Sequence, residues 1–101
     1  MQDNQDNLNS TTFIVVITFI LESFDAKYKS YVDDTISHIA RLDNENRLID
    51  WGFWEDRSGM MIIFRADNFL EAIEQCRDNP FSRDKAAAIF TLKRWRNNRI
   101  K

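Results

Sequence analysis

The sequence predicts an α+β fold with the element order βαββαβ. Three observations lead there: an opening run apolar at both parities, two stretches of helical periodicity, and two strand-like runs joined by a short polar connection. Phe13-Ile14-Val15-Val16-Ile17-Thr18-Phe19-Ile20 is rich in β-branched and aromatic side chains, the pattern of a central strand covered on both faces. From Ser30 the period changes. Val32, Ile36, Ile39 and Asp43 fall along one side of a helix, flanked by Thr35, Ala40 and Leu42, and this helix is expected to end near Asn46. Leu48 to Trp54 and Met60 to Phe64 then read as an antiparallel hairpin around Glu55-Asp56-Arg57-Ser58-Gly59.

A second helix starts at Asp67 or Asn68. Asn68 with Glu71 three residues on has the form of a capping box, and Phe69, Ala72, Ile73 and Cys76 follow at i, i+3, i+4 and i+7. Asp78-Asn79-Pro80 stops it, because the residue before a proline is pushed out of the helical region. Ala88 to Trp95 alternates Phe90 and Leu92 against Ile89, Thr91 and Lys93 and supplies the fourth strand. The order is that of the split βαβ, or ferredoxin-like, arrangement with a four-stranded antiparallel sheet. Both helices then cover one sheet face, yet the first and third strands are apolar on both. Exposed apolar patches of that size usually mark an interface, so a homodimer is expected in which two sheets face each other.

At 101 residues the chain has room for one core, with 44% apolar and 30% charged residues. Residues 1–12 are polar and aperiodic and read as a disordered leader, leaving 13–101 as the single domain. No apolar run approaches the length of a membrane span and no basic start precedes the first one, so a cytoplasmic location is the default. The single cysteine, Cys76, offers neither an internal disulfide nor a zinc or redox pair, and on the apolar stripe of the second helix it reads as core filler. Net charge is −2, but residues 1–56 hold eleven acids and four bases while residues 57–101 hold five acids and ten bases. Like molecules could therefore attract in a complementary orientation. The basic end, Lys93-Arg94-Trp95-Arg96-Asn97-Asn98-Arg99-Ile100-Lys101, reads as a solvated or partner-contacting tail, and nucleic acid is not favoured as a partner.

His38 is the only histidine, and the spacing sets it about 100° from the centre of the stripe at Ile39, at the boundary of core and solvent. An imidazole there has the pKa range for proton transfer; as plain structure it would hydrogen-bond a neighbour. Asp78 could orient such an imidazole or simply cap a turn. Trp51, Phe53 and Trp54 serve the core or an interface unless they face the helix bearing His38, where they would line a pocket. No glycine-rich phosphate loop, metal-spaced cluster or serine motif occurs, so neither a metal nor another cofactor is implied.

With these residues in place, the chain from about Phe13 to Trp95 resembles the YCII-related family, whose members are dimeric α+β barrels on the ferredoxin-like fold. Ser37-His38-Ile39-Ala40-Arg41-Leu42 is similar to the family's histidine-bearing helix segment, and Arg47-Leu48-Ile49-Asp50-Trp51-Gly52 to its entry into strand two. Gly59-Met60-Met61-Ile62 resembles its glycine-led third strand, Glu71-Ala72 its acid-alanine pair, and Asp78-Asn79-Pro80-Phe81 its aspartate-proline-phenylalanine turn. The chain departs from the pattern in four places. Asn79 stands immediately before Pro80 with Asp78 one residue early, Phe53 replaces a proline, Arg94 replaces another, and no glycine follows the turn between Ser82 and Ala88.

The resemblance implies an acid-base pocket for a small organic substrate. His38, Asp78 and Asn79 would form its reactive part, and Trp51, Phe53, Pro80 and Phe81 its lining. The leading expectation is lyase or isomerase chemistry in which neutral His38 accepts a proton while Asn79 or Asp78 fixes its tautomer. Two alternatives stand beside it: a non-catalytic dimeric binding or accessory module, and a cofactor-independent monooxygenase-like barrel.

Overall fold

A computed structural model describes residues 11–20, 26–84 and 87–96. Four strands, β1 (Thr11–Phe19), β2 (Leu48–Phe53), β3 (Gly59–Ala66) and β4 (Ala88–Trp95), form one antiparallel sheet in the order β2-β3-β1-β4. Helix α1 (Ala26–Asn44) joins β1 to β2, and α2 (Phe69–Asp78) with a single turn α3 (Pro80–Arg83) joins β3 to β4. This is the ferredoxin-like α+β arrangement.

The sheet separates its side chains by parity. Phe13, Val15 and Ile17 lie opposite Phe64, Ile62 and Met60, and all six are buried against the helices with Ile39, Leu42, Ala72 and Cys76. Phe13 stacks on Phe64 with ring centroids 6.0 Å apart. Full burial of side chains this large stabilises the fold by about 1.5–3 kcal/mol each. On the other face Ile14 opposes Ile63 and Val16 opposes Met61, and these four are only half-buried. Polar residues flank that strip on the outer strands: Asp50 lies beside Ile63, Lys93 beside Ile14 and Thr91 beside Val16.

Gly59 allows β3 to approach β1 closely. A Cβ there would stand 2.0 Å from the Ile17 carbonyl oxygen, so only glycine admits the β1–β3 pairing at this end. Helix α1 closes with a Schellman turn. The Arg47 N–H donates to the Leu42 carbonyl and the Asn46 N–H to the Asp43 carbonyl, each at 3.0 Å, with Asn46 in the left-handed region at φ 60°.

Several boundaries and one helix phase differ from the sequence expectation. Thr11 and Thr12 belong to β1, paired with Ala66 and Arg65, rather than to a disordered leader; residues 1–10 lie outside the described residues, as do 97–101 of the basic tail. Helix α1 begins by Ala26 and buries Thr35, His38, Ile39 and Leu42, leaving Ile36 exposed. The stripe is phased from Tyr28 and Tyr31, because these two rings pack on Phe81 at centroid distances of 5.7 and 5.3 Å and bury more surface than Ile36 could. His38 therefore lies at the centre of the buried stripe and not at its border. The chain also continues past Asp78 into α3, a turn that proline favours because its fixed φ suits the first helical position.

Candidate functional site

His38 reaches the interior because α1 carries it at i+3 from Thr35 and i−4 from Leu42, on the helix face turned to the sheet. Its side chain is 5% exposed and lines three spaces. Inward lies a chamber of about 10 Å³, room for a single water, walled by Val15, Leu42, Ile62, Phe64 and Cys76, with Gln75 and Asn79 as its other polar members. Outward lies a cleft of about 340 Å³ lined by Asp34, Ser37, His38, Arg41, Asp78, Pro80 and Arg83. Beside it a depression of about 250 Å³ is shared by His38, Arg41, Glu45, Gln75 and Asp78. The imidazole thus forms part of the wall between a small, mainly apolar chamber and a polar surface cleft.

Burial is the main influence on His38 and pushes its pKa below the usual histidine value. The Arg41 guanidinium lowers it further, Asp78 pulls the other way, and Arg83 and Glu45 make smaller opposed contributions. The neutral ring is therefore the form present at neutral pH. Burial likewise pushes the Cys76 thiol up to about 12, which makes it an inert wall of the chamber.

The residue of this turn that lines the chamber together with His38 is Asn79, not Asp78. Asn79 is 1% exposed and sits at the joint between α2 and α3 with φ −65° and ψ 128°, the extended conformation a following proline imposes. Its Oδ1 accepts the backbone N–H groups of Phe81 at 2.9 Å and Ser82 at 3.4 Å, which caps α3. Only an oxygen can receive those two donors, so the amide nitrogen is left over. Asn79 Nδ2 is buried without a hydrogen-bond partner among the described residues, as are Thr35 Oγ1 and Ser82 Oγ. A buried donor left unpaired is costly, and such atoms in a fold call for a water, an ion or a ligand. Asp78 is exposed at the end of α2, lines the cleft and touches the chamber nowhere.

The remaining expected residues divide between two places. Pro80 lines the cleft. Phe81, fully buried, stacks on Phe19 at 4.0 Å; Phe19 meets Phe53 at 6.3 Å, and Phe53 meets Trp51 edge-on at 5.5 Å. Trp51, Phe53 and Phe81 thus form an aromatic chain across the helix-covered side of the sheet and line none of the three spaces around His38. Arg41, Gln75 and Arg83 also line these spaces without a chemical motif of their own in the sequence; Arg41 is signalled by its place at i+3 from His38, whereas Arg83 depends on the turn α3. Among the described residues no group of three or more His, Cys, Asp or Glu side chains could hold a metal ion. No described helix is long and apolar enough to cross a membrane.

No protein-family model matches the chain, and no curated protein matches it in sequence. Among solved structures, 5-chloro-2-hydroxyhydroquinone dehydrochlorinase from Burkholderia phenoliruptrix, determined in complex with 2,5-dihydroxybenzoquinone, superposes with a TM-score of 0.68. The match covers 86% of this chain and 95% of that one, at 16% sequence identity. The likeness shows a shared fold over nearly the whole of both chains. At that identity it carries no correspondence of site residues.

Proposed function

We propose that the chain binds a small hydroxylated organic molecule in the cleft over His38 and that His38 takes part in acid-base chemistry of the lyase or isomerase type. The observation that carries the reading is a neutral, buried imidazole forming part of the wall between a water-sized chamber and an open polar cleft. A base or acid held in that way is shielded from bulk water on one side and accessible to a ligand on the other. Asp34 and Asp78 are the carboxylates on the cleft wall within reach of a bound molecule. The structural neighbour, a dehydrochlorinase with a dihydroxyquinone bound, suggests the first compounds to try. Chlorinated hydroxyhydroquinones should release chloride, with His38→Ala reducing the rate by about 100-fold or more. Unchanged turnover in that variant contradicts the role given to His38.

Asn79 favours a second reading, a binding or accessory module. An amide at the chamber cannot take up a proton as a carboxylate does. On this reading 2,5-dihydroxybenzoquinone binds, no chlorinated analogue is turned over, and His38→Ala weakens binding alone.

Either reading includes a homodimer through the open sheet face. The strip of Ile14, Val16, Met61 and Ile63, bordered by Asp50 on one side and Lys93 on the other, supports it: antiparallel packing of two copies would oppose unlike charges. Light scattering at micromolar concentration should give twice the chain mass and Met61→Lys the single mass; a monomeric wild type contradicts the dimer.

A further inference from the structure

The carboxamide of Asn79 has its oxygen committed to the α3 cap and its nitrogen buried against the His38 chamber. A donor in that position asks for an acceptor. The chamber walls are otherwise hydrocarbon and the Cys76 thiol, so two acceptors are available there: a ring nitrogen of His38 and the amide oxygen of Gln75. Gln75 is partly exposed and also borders the outer depression, so its amide can satisfy itself at the surface. A neutral imidazole carries one hydrogen. If its inner nitrogen receives the Asn79 N–H through the one water the chamber can hold, the hydrogen resides on the other nitrogen.

We propose that Asn79 positions His38 as a hydrogen-bond donor toward the cleft, and that the cleft takes an oxyanion, the oxygen of an enolate or phenolate, against His38, Arg41 and Arg83. This rests on the reading of the cleft as the ligand site and specifies the group it recognises. Arg41 from α1 and Arg83 from α3 flank the cleft, and neither is held in an ion pair among the described residues. Ser37 adds a hydroxyl. The carboxylates of Asp34 and Asp78 border the same space and can accept hydrogen bonds from neutral hydroxyl groups of the ligand. A donor imidazole beside two guanidiniums stabilises negative charge that develops on oxygen, the role of an electrophile in enolisation.

The test uses the single histidine. Nitrogen-15 correlation spectra of the ring at a pH above its titration report which nitrogen bears the hydrogen. Asn79→Asp keeps the cap and replaces the inward donor with an acceptor, so the wild type and this variant should show opposite tautomers, while Gln75→Met should match the wild type. The same tautomer in wild type and Asn79→Asp, or a change on removing Gln75, overturns the positioning role. Should Asn79→Asp fail to fold, Asn79→Ser, which keeps a capping oxygen and removes the amide donor, should lose the wild-type tautomer preference in its place, and an unchanged preference overturns the positioning role; the oxyanion site is tested separately through two probes. 2,5-Dihydroxybenzoquinone, whose vinylogous acid hydroxyls ionise at neutral pH, should bind at least about tenfold more tightly than its dimethyl ether, and Arg41→Gln should erase the difference. Equal binding of the two probes overturns the oxyanion site. If neither probe disturbs the His38 signals, it is the cleft as ligand site that fails, a result separate from the tautomer.

Discussion

Two residues apart on the same turn, Phe81 and Asn79 enter opposite kinds of interior. Phe81 closes a region in which contact is complete: it stacks on Phe19 and touches Tyr28 and Tyr31, while the Tyr31 hydroxyl donates to Asp84 at the end of α3. Asn79 borders a region left incomplete, with a water-sized gap, a neutral histidine and an amide nitrogen lacking a partner. The aromatic region has the character of a packed core, where dispersion and burial do everything and no group awaits a ligand. The histidine region retains unpaired polarity that folding alone does not require. Stability should therefore reside mainly in the first and ligand sensitivity in the second.

Substitutions can break that division. Phe81→Ala should destabilise the fold by about 3–5 kcal/mol, read from denaturant unfolding, since the ring is fully buried and its neighbours are held by β1 and α1. A loss under about 1 kcal/mol would show that the aromatic region is not the mechanical centre. Asn79→Ala should lose about 0.5–2 kcal/mol through the α3 cap, and Asn79→Asp, which can still cap, should retain that part. Equal losses in the two variants would mean that the cap is not what Asn79 contributes. The smallest effect is electrostatic. His38 in the folded chain holds its proton less tightly than in the unfolded chain, so the unfolded state gains protons first as pH falls. Stability from this source is complete above the unfolded pKa of about 6.5 and declines as the pH drops below it. The unfolding midpoint should fall between about pH 7 and pH 5 by less in His38→Gln than in wild type; the opposite order would mean that His38 is charged in the fold.

The strand pattern was legible because β-branched runs at both parities leave few alternatives, and the fourth strand lies where alternation put it, at Ala88–Trp95. Asn68 caps α2 as its spacing with Glu71 suggested, accepting the Glu71 N–H at 2.8 Å, although Glu71 reaches back to the Asp67 N–H rather than to Asn68. The phase of α1 was not legible. Val32, Ile36 and Ile39 form a plausible apolar stripe, and only contacts 50 residues away in sequence, from Tyr28 and Tyr31 to Phe81, rotate the helix so that His38 is inward and Ile36 outward. The candidate site shares that fate. His38 could be singled out by its chemistry, but the exchange of Asp78 for Asn79 as its chamber partner depends on the turn α3. Four residues beginning with a proline carry no periodicity from which such a turn can be read.

The most direct measurement is a pH titration of the His38 ring signals by NMR, on the free chain and again saturated with 2,5-dihydroxybenzoquinone. A midpoint below about 6.5 in the free protein that rises when the anionic probe is bound is the result expected of a buried, neutral imidazole forming part of the wall of a ligand cleft. A midpoint at the ordinary histidine value, unmoved by the probe, would contradict both the burial argument and the site built on it.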